Sequence, residues 1–573
     1  MKKVFLMIMV GVLTTLSVMA QPTLVKDIIT GSTGLNPELS TTLNGYLLFS
    51  SYASGYQNIY RSDGTTSGTS SFTPVDYEYY GKVYGPYNNS CYYAYQEDLY
   101  KIDNSFGRTR LKAFSTGNGW GPRDFAYAGS NVFFITQLKW KNTGSTDNQL
   151  WKTNGTATGT VLVKDLNPNN ADFLNGKLTA FGNYVMFWSY DATNGSELWK
   201  SDGTSSGTTL VKDINPGTGS SYLAWTNTST EYNMRLMFHG ESYKLVYNNK
   251  FYFTATDGTY GTEIWEWDGT NDPRRRTNIN TNGDSHPFNF CVLDGYLFFT
   301  AKDNNNDFEL YKLDLTNANS TPSLVKNINS ATTGSVKERS SFPIWLTNFN
   351  GKIYFSAYDQ TNGRELWETD GTEAGTVTVK DINSGSGSST PNDTSEYKNE
   401  TRGFFIFNNK MYFMADDGTN GVELWQSDGT ANGTSMVADI NSGTGSSFPA
   451  DFKALGSSIY FAATTGTYGR ELWQFTPSSG KLSFGINEWN DGTNSKLSLY
   501  PNPAQDYLVV SADMTDAGQL SISNVLGEEL VSLNLNKSNI LSQKIDISTL
   551  PEGVYIVNLR IGNELIRNKF VKK

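Results

Sequence analysis

The sequence predicts an all-β chain: a closed β-propeller of eight or nine blades, followed by a small Ig-like β-sandwich. Three observations carry that expectation. One unit recurs nine times through the middle of the chain, with an apolar-aromatic pair at its centre. Each copy is made of short alternating segments split by Asn-Gly and Asp-Gly turns, which is strand period and hairpin punctuation rather than helical period. The pattern then changes character near Leu497.

The nine anchors are Ile59-Tyr60, Leu99-Tyr100, Leu150-Trp151, Leu198-Trp199, Ile264-Trp265, Leu310-Tyr311, Leu366-Trp367, Leu424-Trp425 and Leu472-Trp473, spaced 40–66 residues apart. A clean copy has four parts. Lys352–Ala357 is an alternating strand; Asp359 and Asn362-Gly363 form a turn; Glu365–Glu368 is the next strand; Asp370-Gly371-Thr372 is a second turn before Val377–Ile382. Three or four short strands per unit with one fixed bulky aromatic describe a propeller blade. A β-solenoid is the alternative, but its coils are shorter and lack these hairpins. The last unit ends at Phe475 with no Val-Lys-Asp-Ile strand, whereas Leu24-Val25-Lys26-Asp27-Ile28 stands orphaned at the start. Pairing the two would close the ring and remove exposed strand edges.

The ends of the chain concern its destination. Lys2-Lys3, an apolar run from Val4 to Val12 and Val18-Met19-Ala20 before Gln21 make residues 1–20 a secretory signal peptide, cleaved between Ala20 and Gln21. No segment is apolar for long enough to predict a transmembrane helix. The expected order is then propeller 21–476, linker 477–496 and C-terminal domain 497–573. Net charge is −11 with 45 basic and 56 acidic residues, which argues against a nucleic-acid partner. Two Cys (Cys91, Cys291) and two His (His239, His286) are too few for a Cys/His zinc site or a disulfide scaffold.

The C-terminal motifs Tyr500-Pro501-Asn502-Pro503, Ser523–Gly527 and Leu550–Tyr555, with the basic end Lys569–Lys573, resemble the type A C-terminal sorting domain of the type IX secretion system of Bacteroidetes. The resemblance implies the type IX machinery as a partner and a secreted or outer-cell-surface destination. The central units resemble ELWxxDGT repeats of surface proteins from the same bacteria, a family with no settled activity.

For chemistry, five copies carry an Asp and a Glu six residues apart: Asp191/Glu197, Asp257/Glu263, Asp303/Glu309, Asp359/Glu365 and Asp417/Glu423. A feature so repeated reads as a fold requirement, Asp capping its own turn. No cofactor is expected, and calcium on these oxygen-rich loops is the alternative. The Asp-Gly-Thr turns lack the Lys and helix of a phosphate loop. The longest insertion carries the candidate ligand-binding residues Trp225, Tyr232, Arg235, His239 and Tyr243; further insertions hold Glu338–Trp345 and Thr390–Arg402. By residue type the candidate general base is His239 or His286, but neither sits in a nucleophile motif. The expectation is therefore a non-enzymatic binding or adhesion propeller for an extracellular glycan or protein. The alternatives are a self-associating surface protein and a polysaccharide-degrading enzyme with channel carboxylates.

Overall fold

A computed structural model describes residues 20–477 and 497–572 apart from short internal segments, the longest being 73–81, 223–242 and 391–403. The chain divides into two compact units, Met1–Ser478 and Ser479–Lys573.

The described residues of the first unit form nine four-stranded antiparallel sheets. In chain order they are sheet 1 (37–71), sheet 2 (84–112), sheet 3 (120–165), sheet 4 (174–212), sheet 5 (244–275), sheet 6 (288–326), sheet 7 (344–380) and sheet 8 (405–438). Sheet 9 takes three strands from 450–475 and its fourth from Thr23–Lys26. There Leu24 lies opposite Trp473 and Lys26 opposite Leu472, so the orphan segment fills the gap in the last repeat. The helical content described is one turn, Val336–Arg339.

Local chemistry explains each sheet. The first two strands are joined by two-residue turns in which both central residues take positive φ: Asn44-Gly45 (46°, 77°), Asp294-Gly295 (49°, 80°) and Asn350-Gly351 (49°, 77°), with Asn-Asn at 248–249. Asn, Asp and Gly are the residues that tolerate this geometry, and its twist matches that of the strands. The third and fourth strands are joined by the Asp-Gly-Thr turn. Asp370 Oδ1 accepts from the Thr372 N–H (2.8 Å) and hydroxyl (2.7 Å), and the Thr372 hydroxyl accepts from the Gly375 N–H. Gly375 leaves room for that carboxylate, since an added Cβ would sit 2.1 Å from Asp370 Oδ1.

The middle strands are apolar on both faces because each sheet is covered on both. Along Lys352–Asp359 of sheet 7, Ile353, Phe355 and Ala357 pack with sheet 6, while Tyr354 packs with sheet 8. The anchor pair divides likewise, Trp367 towards sheet 6 and Leu366 towards sheet 8. An apolar cluster of this kind joins every consecutive pair of sheets from 1 to 9. A further cluster joins sheet 9 to sheet 1, through Tyr460 and Leu472 against Leu47 and Phe49. A lysine reinforces several junctions by donating to a threonine carbonyl of the next sheet: Lys164 to Thr208, Lys326 to Thr376, Lys380 to Thr434 and Lys26 to Thr69.

The second unit has a three-stranded sheet (497–500, 507–513, 540–546) and a four-stranded sheet (518–524, 529–535, 553–561, 564–572), sharing one core of Leu508, Val510, Ile522, Val557, Leu559 and Phe570.

Candidate functional site

The repeated carboxylates are structural. Glu197, Glu309, Glu365 and Glu423 are buried, and each accepts backbone N–H groups from the loop that leaves its own sheet. Glu423 takes four hydrogen bonds: the N–H groups of Ile440 (2.8 Å), Asn441 (3.3 Å) and Ser447 (3.0 Å), and the Ser447 hydroxyl (2.6 Å). Burial pushes the Glu197, Glu263, Glu309, Glu423 and Glu471 carboxyls up to about 7, with the hydrogen bonds opposing it. The paired aspartates cap turns: Asp191 Oδ1 accepts from the N–H groups of Thr193 and Asn194, and Asp417 Oδ1 from those of Thr419 and Asn420. The turns thus occupy the oxygens that calcium would need. Among the described residues no group of three His, Cys, Asp or Glu is placed to hold a metal ion.

Of the candidate ligand-binding residues, Trp225, Tyr232, Arg235 and His239 lie outside the described residues. Tyr243 packs in an aromatic group with Trp188 and Tyr222, at ring-centre distances of 6.4 and 6.5 Å. Residues 391–403 of the third insertion also lie outside them. His286 is half-buried, with Nε2 3.9 Å from Asp284 Oδ2. The thiols of Cys91 and Cys291 are free, in sheets 2 and 6.

A different set of residues converges where the sheets meet. The first strands of neighbouring sheets touch one another, as those of sheets 9, 1 and 2 do. Most of these strands carry a bulge. In four of them a non-glycine residue at the bulge takes positive φ: Asp124 (53°), Asn289 (58°), Trp345 (65°) and Asp451 (58°). Asp and Asn tolerate this conformation, whereas for the bulky Trp345 it is uncommon. Each holds a polar or aromatic side chain where a regular strand would turn an apolar one into the junction.

The charges at this inner end sense one another across the sheets. Lys82, at the entry to sheet 2, is pushed down to about 8, first by burial and then by the charge of Lys177 from sheet 4. Glu38 of sheet 1 and Asp451 of sheet 9 oppose that shift, and Lys453 adds to it. Asp451 is itself pushed up to about 6 by burial and by Glu38, against the pull of Arg470, Lys453 and Lys82. Sheets 2 and 4, or 9 and 2, are not neighbours in the packing order, so such coupling requires that the sheets converge. The cluster brings a carboxyl that holds its proton in mildly acidic water together with an exposed carboxylate, Glu38, and three lysines.

Comparison with known proteins decides the second unit. Residues 498–573 match the family described as Secretion system C-terminal sorting domain. The C-terminal unit is a type IX sorting domain. Its presence implies export out of the cytoplasm, to the medium or the cell surface. No curated protein matches the chain. Similar solved structures include dipeptidyl peptidase 4 of Porphyromonas gingivalis (11% identity, 60% of this chain and 52% of that one, TM-score 0.40). Others are a puromycin-hydrolyzing peptidase of Mycobacterium tuberculosis (10%, 63% and 56%, 0.34) and the β-propeller domain of the Trilobed protease from Pyrococcus furiosus (11%, 65% and 100%, 0.28). This chain thus spans little more than half the length of the two peptidases.

The expectation of a non-enzymatic chain is corrected here, because peptidases lead this set. The physical reason is that the expectation rested on finding no local nucleophile motif. A set drawn from the inner strands of several sheets leaves no local motif. At these identities no residue role passes from the peptidases to this chain.

Proposed function

We propose that residues 21–476 form a closed nine-bladed propeller, exported behind a signal peptide and carried by an Ig-like sorting sandwich. On this reading the axial cluster degrades an extracellular anionic polysaccharide. The observation that carries it is the pairing at the inner end of the sheets of Asp451, which holds a proton up to about pH 6, with the exposed carboxylate Glu38. Glycoside hydrolysis needs these two states: an acid to protonate the leaving oxygen and a carboxylate on the other side. In this reading Asp451 gives its proton to the glycosidic oxygen as the C–O bond breaks, and Glu38 takes a proton from the attacking water. Lys82, Lys177 and Lys453 hold acidic groups of the polymer. The repeats support an ELWxxDGT protein of Bacteroidetes as the source of this scaffold.

The surplus of cations over carboxylates around Lys82 favours a second reading, in which the same cluster binds the polymer without cleaving it. The purified protein incubated with alginate and polygalacturonate, with dextran as control, separates the two. New reducing ends that are lost in Asp451→Asn and Glu38→Gln support hydrolysis. Saturable binding without new ends supports retention alone, and neither outcome with any polymer refutes the axial reading.

A further inference from the structure

A groove of about 550 Å³ opens between sheets 5 and 6, away from the axial cluster. Two departures from the repeat create it. In sheets 3, 6 and 7 a lysine of the fourth strand crosses to the next sheet. The matching residue after sheet 5 is Thr277, whose short side chain turns back to Glu263 (2.6 Å). The facing anchor of sheet 6 is Tyr311, where sheets 3, 4, 5, 7, 8 and 9 have tryptophan and sheets 1 and 2 tyrosine. Sheet 8 also lacks the lysine, having Ala438, but the next sheet keeps Trp473. Between sheets 5 and 6 both large side chains are missing together, as they are in the sequence of the first two repeats, which have Thr73 and Tyr100 at these positions.

The junction itself is held by other means, so the groove is not simply a weak contact. Arg276 is buried, pairs with Glu266, and donates to the carbonyls of Asp314 (3.2 Å) and Asn317 (3.1 Å) on sheet 6. Arg275, on the groove wall, is placed differently. Its guanidinium lies 3.6 Å from the Tyr260 ring centre, and its Nη1 has no hydrogen-bond partner. Among the described residues no carboxylate makes an ion pair with Arg275. Amides, a hydroxyl and one carboxylate complete the wall: Asn304, whose Oδ1 accepts from Thr281 (2.8 Å) and whose NH₂ group stays available, Thr321, and Asp303, which accepts from the Asn305 amide (3.1 Å).

We infer that this groove binds a sugar acid, its carboxylate received by Arg275 and its hydroxyls by Asn304, Asn305 and Thr321. An arginine with its planar donors suits a carboxylate. An anchoring cation set among amides, a hydroxyl and the Asp303 carboxylate, which repels a bare anion and accepts from sugar hydroxyls, selects an acidic sugar over a bare anion. The site is independent of the axial one, so its test is run in protein carrying Asp451→Asn and Lys82→Ala.

The measurement is calorimetric titration of the full chain with a glucuronate-containing disaccharide, and with its counterpart bearing glucose in place of glucuronate. Saturable binding of the acidic disaccharide is expected, at least tenfold weaker for the neutral one and tenfold weaker in Arg275→Ala. Tyr311→Trp, which introduces the side chain that six other repeats carry there, is expected to abolish it by filling the groove. Failure to bind overturns the inference, as does equal binding of both disaccharides. Unchanged affinity in Tyr311→Trp overturns it too, because the ligand then sits elsewhere.

Discussion

Replacing Glu423 by Ala tests how each repeat is tied together. The substitution leaves the N–H groups of Ile440 and Asn441 without an acceptor, while the Ser447 N–H (2.9 Å) and hydroxyl (3.5 Å) retain the Val422 carbonyl. An unsatisfied donor costs about 2 kcal/mol, so the loss for the two is about 4 kcal/mol. A unit of about 460 residues changes stability by roughly 1 kcal/mol per degree at its midpoint, which converts the loss to a fall of about 4 °C. Glu423→Gln keeps one acceptor oxygen and should lose about half as much. Differential scanning fluorimetry at pH 7 on both variants gives the answer. A midpoint unchanged to within about 1 °C in Glu423→Ala would refute the reasoning, since the carboxylate would not then be holding its loop.

Three further outcomes follow from the same structure. The midpoint should fall between pH 5 and pH 8, because Glu197, Glu263, Glu309, Glu423 and Glu471 have folded-state pKa values of about 7. A raised carboxyl contributes stability that is complete below its unfolded pKa of about 4.3 and is lost as pH rises through the folded value. The turn-capping aspartates such as Asp202 and Asp370, whose pKa values are lowered, act in the opposite sense but at lower pH; a midpoint that rises over this range contradicts the assignment. Deleting residues 21–28 exposes the Leu472-Trp473 edge and should shift the size-exclusion profile towards aggregate, whereas an unchanged profile would show that the strand is dispensable. Asp451→Asn should depress cleavage of polysaccharide far more than cleavage of a nitrophenyl uronide, whose leaving group needs no proton; equal losses would remove Asp451 from the role of acid.

Much of the scaffold is legible in the sequence because its turns are local. Asn350-Gly351 and Asp370-Gly371-Thr372 define hairpins with no knowledge of the rest of the chain, and Val25-Lys26 announces its partner by matching the strand that the last repeat lacks. The six-residue Asp–Glu spacing is legible as structure for the same reason, although the donors to Glu423 become visible only when the loop is folded. The axial cluster is hidden because Glu38 and Lys453 lie at opposite ends of the unit and meet only through the arrangement of the sheets. A signal was present: Asp124, Asn289, Trp345 and Asp451 stand at one matching place, four residues before the last residue of their strands. The insertion around Trp225 is more conspicuous, because its aromatic and charged residues are adjacent in sequence.

The most direct test of the axial account is lysine footprinting by mass spectrometry. With its pKa near 8, Lys82 is a large fraction neutral at pH 8, so a limiting dose of an amine-reactive ester should label it ahead of ordinary lysines. Saturating alginate or polygalacturonate should then protect Lys82 and Lys453 while leaving Lys250 and Lys544 labelled as before. Polymer binding that leaves Lys82 labelling unchanged, or that protects lysines elsewhere instead, would contradict the account.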